Sequence, residues 1–537
     1  MPIAPTRHHL LPAMLVAALI TPASAATQAS PLAALRQGSA QGNTEDGVNQ
    51  FLGLPFAAPP LGELRWRPPQ PPTAWQGVRN ATTLGYACPQ LPGAYSQRPT
   101  DEDCLTLNVY APEAPQSTPR PVLVWIHPGS LTMGSGGDYD GKALARRANV
   151  VVVTINYRLG ALGFLSTPAL LQEGSPPNQG LQDQQQALRW VQENIQAFGG
   201  DARNITVAGN SSGSASICGH LASPSSGGLF QRAILQSGPC VLLRTRPLEQ
   251  ANNQGNAFAE KMNCPSGATQ MSCLRNRSAQ ELIAAAGDGL DLLQTANPWS
   301  PVIDGTTIPR NLTDMIREGA FHKVPVLLGT TSDEGRFFVS YTFHQKLGRA
   351  MTTVDHKSAS DVMTGSTFAG STARLLYPAS GYPNIDLAMS ALMTDSGFAC
   401  PALSDARRLS RHTPVYTYEF SDTQAPAPTD PFFKLGAYHT AELQYLFGQP
   451  VFATQVNSAP SAEQKRLADQ MVAYWSAFAN HGDPNQSGLP KWVKFNELTT
   501  PIMNLAPGKV GMQGWGEFSK THRCLTWSLL FSLSGQN

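Results

Sequence analysis

The chain has 537 residues, which is long enough for several ordinary domains or for one large α/β fold. It carries a formal net charge of +1, and only 14% of its residues are charged. This composition argues against nucleic acid as a partner and against a polybasic membrane-binding surface, because both need clustered Lys and Arg.

The first 25 residues have the pattern of an export signal. A polar head around Arg7 precedes the apolar run 10–20, and Ala23-Ser24-Ala25 is a small-residue cleavage site. That run is too short to span a bilayer, and no later run reaches the roughly 20 apolar residues of a transmembrane helix. We therefore expect a signal peptide at 1–25 and an exported chain, periplasmic or secreted, without a membrane span.

Short apolar segments rich in β-branched residues alternate with helical patterns through the chain. Residues 180–198 have apolar positions near helical spacing and lie between two such segments. Strand, helix and strand in this order predict an α/β fold with a parallel sheet buried on both faces. The predicted strands are 122–126, 150–155, 205–208, 233–236, 326–328 and 415–420.

A capping box is predicted near the C-terminus. Ser461 and Gln464 precede a helix with one apolar face, and Gly482 supplies its end.

The proline-rich stretches 68–72 and 424–431 resemble surface connections, because apolar segments resume on both sides of each. Since there is also no internal repeat, we expect residues 26–537 to form a single domain.

The eight cysteines are expected to form disulfides and not a metal site. None belongs to a Cys-x-x-Cys pair, and an exported chain meets an oxidising compartment. Cys88 and Cys104 bracket one short loop, and Cys264 and Cys273 bracket another.

Ser211 lies in a Gly-x-Ser-x-Gly pentapeptide between an apolar strand and a helical segment. A sharp strand-to-helix turn strains the serine backbone, and Gly209 and Gly213 leave room for it. The N-terminus of the following helix directs free N–H groups at the place where an oxyanion would form. The motif predicts a nucleophilic serine.

A serine nucleophile needs a histidine base and a carboxylate that orients it. In α/β-hydrolases the chain order is serine, acid and histidine. Downstream of Ser211, Asp333 and Glu334 directly follow the predicted strand at 326–328, and His439 precedes an apolar segment. The order is therefore the one expected.

Several further segments resemble the type B carboxylesterase family, relatives of the cholinesterases, and in particular the bacterial p-nitrobenzyl-esterase type. The resemblance extends from about Phe51 to Trp527 and includes 51–67, 102–109, 156–158 and 178–201 beside the catalytic segments. It implies an α/β-hydrolase fold, with a mostly parallel central sheet flanked by helices. Large helical and loop insertions surround an active-site gorge in that fold.

By this resemblance Ser211 is the nucleophile, His439 the general base and then acid, and Glu334 the triad carboxylate, with Asp333 as the alternative. The oxyanion hole is formed by the backbone N–H groups of Gly129, Ser130 and Ser212. The family carries His-Gly-Gly-Gly in that loop, whereas this chain has His127-Pro128-Gly129-Ser130. Pro128 removes none of the three donors. The Ser130 side chain predicts poor hydrolysis of tertiary-alcohol esters.

Asn210 stands beside the nucleophile where cholinesterase-like members have a glutamate. Glu442 and Ser237 resemble the partners of that glutamate. The loss of one negative charge predicts a different pH profile and a weaker attraction for cationic substrates.

The resemblance also implies three disulfides, Cys88–Cys104, Cys264–Cys273 and Cys400–Cys524. Cys218, on the helix after Ser211, is then expected to be a buried thiol, with a bond to Cys240 as the alternative. Arg65 with Glu102 and Arg158 with Asp183 resemble structural ion pairs of the family.

In the cholinesterases, which the chain resembles, the first disulfide loop carries a tryptophan that binds quaternary ammonium. The corresponding loop at 89–103 contains no tryptophan, so the resemblance implies that choline esters are not substrates. Trp299, Phe337 and Phe338 are the candidate substrate contacts, and they favour uncharged carboxylic esters with aryl or short-to-medium acyl groups. No cofactor is implied, and the partner is a small-molecule ester. Two alternatives stay open: hydrolysis of lipid, polyester or amide bonds, and a catalytically inactive binding protein on the same fold. The oligomeric state stays open too.

Overall fold

The computed structural model describes residues 1–5, 30–92, 96–114, 116–287, 289, 292–293, 298–450 and 456–533. The predicted signal peptide lies outside the described residues from position 6 onward. None of the helices in the described part is long and apolar enough to cross a bilayer.

The strands in chain order are β1 (Leu32–Leu35), β2 (Gly38–Gln41), β3 (Asn43–Glu45), β4 (Val48–Pro55), β5 (Val78–Asn80), β6 (Thr106–Pro112), β7 (Arg120–Ile126), β8 (Val151–Ile155), β9 (Gly200–Asn210), β10 (Arg232–Gln236), β11 (Arg246–Pro247), β12 (Val302–Ile303), β13 (Val326–Thr331), β14 (Val415–Phe420), β15 (Met503–Leu505) and β16 (Gly511–Met512).

The helices are α1 (Lys142–Ala148), α2 (Gly160–Phe164), α3 (Pro168–Gln172), α4 (Gln179–Asn194), α5 (Ser212–Ala222), α6 (Leu248–Lys261), α7 (Gln270–Arg275), α8 (Ala279–Ala286), α9 (Leu312–Glu318), α10 (Glu334–Val339), α11 (Thr353–Thr364), α12 (Thr367–Leu376), α13 (Ile385–Met393), α14 (Cys400–Ser410), α15 (Leu443–Phe447), α16 (Ala462–His481), α17 (Glu517–Thr521) and α18 (Cys524–Leu533). Short 3-10 helices occupy Gly62–Leu64, Gly136–Asp138, Ile195–Phe198, Pro224–Ser226, Cys240–Leu243 and Ala379–Gly381, and π-helical turns occupy Ser340–Lys346 and Thr394–Ala399.

Eleven strands among the described residues form one sheet in the order β16-β15-β14-β13-β10-β9-β7-β8-β6-β4-β3. The strands from β8 to β15 in this order run parallel, and the outer pairs are antiparallel. Every residue of β7, β8 and β13 is buried, as expected for parallel strands covered on both faces. The predicted α/β class and all six predicted strands are confirmed.

The short strands β1, β2 and β5 near the N-terminus, which form a separate three-stranded sheet, were not predicted. The burial of β1 and β2 is broken by partly and fully exposed positions, and β5 is exposed throughout. Such strands lack the continuous apolar run that identifies a strand of the central sheet.

Two groups of helices contact the central strands of the sheet. α4 and α5 contact each other and β9, whereas α16 contacts β7, β9 and α1. α16 begins with the predicted capping box of Ser461 and Gln464 and ends at Gly482, which has a φ of 73°. α6 to α9 lie between β10 and β13, and α10 to α14 lie between β13 and β14.

All eight cysteines lie in the described part of the chain, and they form four disulfides. The pairs Cys88–Cys104, Cys264–Cys273 and Cys400–Cys524 are those that the resemblance implies. The expected buried thiol at Cys218 is wrong, because Cys218 is bonded to Cys240. The bond joins α5 to the 3-10 helix after β10. These two segments meet because β9 and β10, the strands that precede them, are parallel neighbours in the sheet. The Arg158–Asp183 ion pair is present with a distance of 2.7 Å. The Arg65–Glu102 ion pair is also present.

The parallel order of the strands determines where the catalytic candidates lie. β9, β10, β13 and β14 are successive neighbours in the sheet. Their carboxyl ends share one edge, and residues that follow those ends meet there. Ser211 follows β9, Glu334 follows β13, and His439 lies in the connection after β14.

Candidate active site

Ser211 occupies the turn between β9 and α5, with a φ of 55° and a ψ of −124°. Residues with a side chain rarely adopt a positive φ, so the turn is strained. A Cβ at Gly209 would lie 2.7 Å from the carbonyl carbon of Gly213, and one at Gly213 would lie 2.1 Å from the carbonyl oxygen of Ile126. Neither position accepts a larger residue without movement of the backbone, which is the reason for both glycines of the motif.

Glu334 and His439 are completely buried and hydrogen-bonded to each other. The distance from His439 Nδ1 to Glu334 Oε2 is 2.5 Å, and Glu334 Oε1 accepts a hydrogen bond of 2.8 Å from the Thr331 backbone. Since a carboxylate accepts, Nδ1 carries the proton and the lone pair of Nε2 is available. In the described part of the chain Nε2 has no hydrogen-bond partner.

Asp333, the alternative carboxylate, has other partners. It forms an ion pair of 2.8 Å with Arg336 and accepts a hydrogen bond of 3.0 Å from the backbone of Ala437. Only Glu334 of the two neighbouring acids contacts His439.

The loop after β7 reaches the nucleophile. Gly129, Ser130 and Leu131 have φ values of 117°, 55° and 62°. A Cβ at Gly129 would lie 2.1 Å from the carbonyl oxygen of Met133, so glycine is required there. Ser130 borders the same cavity as Ser211 and Ser212. The loop thus meets the N-terminus of α5 at the serine, and the Leu131 N–H donates to Ser212 Oγ at 3.3 Å.

The base of this loop is fixed by His127 although Pro128 departs from the family pattern. His127 Nδ1 donates to the Pro128 carbonyl at 2.8 Å, and the His127 carbonyl accepts from Tyr157 Oη at 2.8 Å. The two rings are stacked at 4.3 Å. Burial lowers the pKa of His127 to about 4, so its ring is neutral near pH 7.

A cavity of about 180 Å³ opens at Ser211. Phe338 and Phe398 form part of its wall and approach the His439 ring with centroid distances of 4.8 and 5.1 Å. Most other wall residues are apolar as well: Leu131, Ala215, Leu242, Leu243, Leu292, Val362, Met363 and Met393. The site combines a strained serine, an oriented histidine and an apolar cavity.

A family model described as the carboxylesterase family matches residues 29–527. The chain belongs to the carboxylesterase family. It is 38% identical over 480 residues to the para-nitrobenzyl esterase of Bacillus subtilis (strain 168), covering 87% of this chain and 93% of that protein. It is 36% identical over 513 residues to carboxylesterase 3 of Homo sapiens, covering 88% of this chain and 86% of that protein.

Solved structures agree with this family assignment. A structure of PNB esterase superposes with a TM-score of 0.78 at 33% identity, covering 93% of this chain and all of that chain. A thermophylic PNB esterase gives the same TM-score at 32% identity, covering 93% of this chain and all of that chain. The expected α/β-hydrolase fold is confirmed, and the chain is a carboxylic-ester hydrolase.

Asn210 of the esterase bonds to Glu442, as the resemblance implies for this position. Asn210 Nδ2 and Gln236 Nε2 donate to Glu442 Oε1 at 3.1 and 3.2 Å. Burial raises the pKa of Glu442 to about 8, and the charge of Glu334 adds to the effect. The Ser237 hydroxyl is buried but makes no hydrogen bond to a described residue, so the structure joins only Asn210 and Glu442.

The three aromatic candidates do not share one role. Phe338 borders the cavity, whereas Phe337 is not among the described wall residues and its ring lies 6.1 Å from that of His439. Trp299 is not among the described wall residues. Its ring packs edge-on against Phe258 at 5.1 Å, and its Nε1 donates to Ala286 at 3.0 Å. The contacts described for Trp299 are packing contacts, and its role as a substrate contact stays a prediction.

Phe398 was missed as a wall residue. It lies in the π-helical turn directly before Cys400, and the sequence singled out this segment only for its cysteine. No local pattern indicates that this turn faces His439, because α10 to α14 bring it there.

Among the described residues, no three His, Cys, Asp or Glu side chains are grouped as ligands for a metal.

Proposed function

We propose that this esterase acts through an acyl-serine intermediate on Ser211, with His439 as the base and Glu334 as the carboxylate that orients it. The observation that carries the proposal is the buried hydrogen bond of 2.5 Å between Glu334 and His439, which leaves Nε2 unpartnered among the described residues. An imidazole held in this tautomer can accept a hydroxyl proton.

In the first half-reaction Ser211 Oγ attacks the ester carbonyl while His439 Nε2 takes the hydroxyl proton. The backbone N–H groups of Gly129, Ser130 and Ser212 stabilise the oxyanion. The carbon–oxygen bond to the alcohol then breaks, and His439 returns the proton to the departing alcohol. In the second half-reaction His439 takes a proton from water, which attacks the acyl-serine carbonyl. The bond between the acyl carbon and Ser211 Oγ then breaks, His439 returns the proton to Oγ, and the acid is released.

The triad is tested by paired variants at the two neighbouring acids. We expect Glu334→Gln to lower kcat for a short p-nitrophenyl acyl ester by about 1,000-fold or more, because the imidazolium loses its orienting charge. Asp333→Asn serves as the matched control, since its carboxylate contacts Arg336 and not His439. Equal losses in both variants would contradict the assignment of Glu334.

The nucleophile is tested by covalent labelling. Wild-type protein is expected to gain one organophosphate adduct by intact mass, and Ser211→Ala is expected to gain none and to lose turnover. A folded wild-type protein with neither turnover nor adduct would instead support the inactive binding protein.

We infer that the preferred substrates are uncharged esters with aryl or short-to-medium acyl groups. The apolar wall with Phe338 and Phe398 and the volume of about 180 Å³ support a compact apolar group at the reacting carbonyl. A panel of p-nitrophenyl acyl esters of increasing chain length, with a triglyceride, a polyester film and an anilide, tests this preference. Faster cleavage of any of the last three would favour the lipase, polyesterase or amidase alternative. The Ser130 side chain predicts that tert-butyl esters are poor substrates.

We also propose that residues 1–25 are a signal peptide, that 26–537 form one domain, and that the mature enzyme is periplasmic or secreted. Four disulfides are compatible with an oxidising compartment. The match of the family model from residue 29 to 527 supports one continuous unit. N-terminal sequencing of protein recovered from periplasm and medium tests the cleavage site, and an unprocessed cytosolic chain would contradict the proposal.

A further inference from the structure

A second cavity, of about 460 Å³, adjoins the one at Ser211. The two cavities have five wall residues in common: Leu242, Arg244, Val362, Met363 and Gly397. The two cavities therefore lie next to each other. A substrate that is too long for the cavity at the serine would extend into this space.

Arg244 is the only charged residue among the described wall residues of the smaller cavity. Among the described residues, its guanidinium has no hydrogen-bond or ion-pair partner. The side chain is exposed, yet burial lowers its pKa. Both properties hold for a side chain that faces a cleft surrounded by protein. An arginine remains protonated in such a place, so an unpaired positive charge borders the cavity that contains Ser211.

The other charges on the larger cavity already have partners. Asp405 accepts a hydrogen bond of 2.6 Å from the Cys240 backbone and lies 3.7 Å from Arg408. Burial raises the pKa of Asp405 to about 6, so it is ionised near pH 7 and balances Arg408. Among the described wall residues of the two cavities, Arg244 is left as the charge without a counter-ion.

The backbone of Arg244 is held in place relative to the nucleophile. Arg244 directly follows the 3-10 helix Cys240–Leu243, and its N–H donates to Val241 at 3.2 Å. Cys240 is bonded to Cys218 on α5, the helix that begins next to Ser211. Arg244 also has a φ of 46°, a conformation that a non-glycine residue keeps only where the surroundings impose it.

We propose that Arg244 is a specificity residue that binds a carboxylate on the substrate, at the end remote from the ester carbonyl. The substrate class is that of esters with a free carboxylate, such as half-esters of dicarboxylic acids. This inference rests on the proposed acyl-serine reaction at Ser211 and extends it from uncharged esters to anionic ones. A guanidinium binds a carboxylate through two parallel charge-assisted hydrogen bonds. The apolar wall next to Ser211 still receives the carbon chain between the two groups.

The test compares esters that differ only in the remote charge. Mono-4-nitrophenyl adipate and 4-nitrophenyl hexanoate have acyl chains of equal length. The adipate carries its free carboxylate on the acid side of the ester, and the hexanoate is its uncharged match. 4-Acetoxybenzoate carries its carboxylate on the alcohol side of the acetyl ester, and its methyl ester is the uncharged match. For each pair, the ratio of kcat/KM between the charged and the uncharged ester is measured in wild-type enzyme, Arg244→Gln and Arg244→Lys.

For at least one pair we expect Arg244→Gln to lower this ratio by about 10- to 100-fold, the usual effect of losing a charged hydrogen bond. Arg244→Lys should restore part of it. Arg203→Gln is the matched control for loss of one positive charge, because Arg203 lies at the opposite end of β9 with a side chain that is 93% exposed. The control should leave both ratios unchanged. The pair that responds tells which side of the ester extends towards Arg244.

If the ratio stays at the wild-type value in Arg244→Gln for both pairs while the uncharged esters are hydrolysed, this inference is wrong and the proposed reaction stands. If wild-type enzyme hydrolyses none of the four esters, the proposed function fails, and the inference fails with it. A measurement on wild-type enzyme needs no variant to fold: added NaCl should raise KM for the charged ester and not for its uncharged match. An equal response of both esters to salt would also overturn the inference.

Discussion

His522 is predicted to make the stability of the esterase depend on pH, because it joins the C-terminal segment to the central sheet. It donates to Asp395 at 2.6 Å and to Glu419 of β14 at 2.7 Å, and only 3% of its surface is exposed. Burial by itself lowers the pKa of His522. The two carboxylate partners outweigh burial and raise the pKa to about 10 from an ordinary value of 6.5.

A folded-state pKa above the unfolded value means that the protonated ring stabilises the fold. This contribution is complete below pH 6.5 and is lost as the pH rises through 10. Between about pH 5.5 and about pH 8.5 it falls by about two pKa units, or about 3 kcal/mol. The unfolding entropy of a chain of about 500 residues is about 1 kcal/mol per kelvin, so Tm should fall by about 3 °C.

The assay is thermal unfolding, followed by circular dichroism at both pH values, for wild-type enzyme and His522→Gln. The glutamine variant should be less stable at low pH, and its Tm should fall by about 3 °C less than that of the wild type over this range. His412→Gln is the control, since His412 forms no ion pair in the described part of the chain and its loss should leave the wild-type pH dependence. Parallel pH curves for wild type and His522→Gln would refute the reasoning.

Three further changes have defined outcomes. Gly213→Ala places a Cβ 2.1 Å from the carbonyl oxygen of Ile126, and we expect at least about a 100-fold loss of kcat in a folded protein; near-normal turnover of a p-nitrophenyl ester would contradict this. Replacing Cys218 and Cys240 together by Ala opens a loop with a sequence separation of 22 and should lower stability by about 3 kcal/mol, seen as a lower Tm, whereas an unchanged Tm would disprove it. The pKa of Glu442 is raised to about 8, and its ionisation adds a negative charge near the Glu334–His439 pair. We therefore expect kcat to rise modestly through pH 8 in the wild type and to stay flat in Glu442→Gln. Identical pH profiles of the two proteins would argue against this role.

Part of the active site was predictable because its signals are local. The strain at Ser211 needs only the glycines on either side, and the pentapeptide states this requirement directly. The capping box of Ser461 and Gln464 likewise involves residues three apart, and it is present in the structure. The apolar runs of the parallel strands are equally visible, since burial on both faces leaves few polar positions in them.

Other features were not predictable from local patterns. The Cys218–Cys240 bond joins a helix to the connection after the neighbouring strand, and nothing in either segment identifies the partner. Trp299 was expected on the cavity wall but packs against Phe258, and Phe398 was not expected there at all. The same aromatic residue types occur in protein cores and in the walls of binding cavities, so the sequence alone does not separate the two environments.

The sequence by itself determined the α/β class, the strained serine turn and the chain order of serine, acid and histidine. Each depends on neighbouring residues or on family motifs. The tertiary structure decided that Glu334 and not Asp333 contacts His439, 105 positions away, because β13 and β14 are adjacent and the turn after β13 directs only one of the two acids inward. It also decided which charge borders the cavity. Arg244 has no signal in its own segment, and its place among the described wall residues follows from how distant elements pack around Ser211.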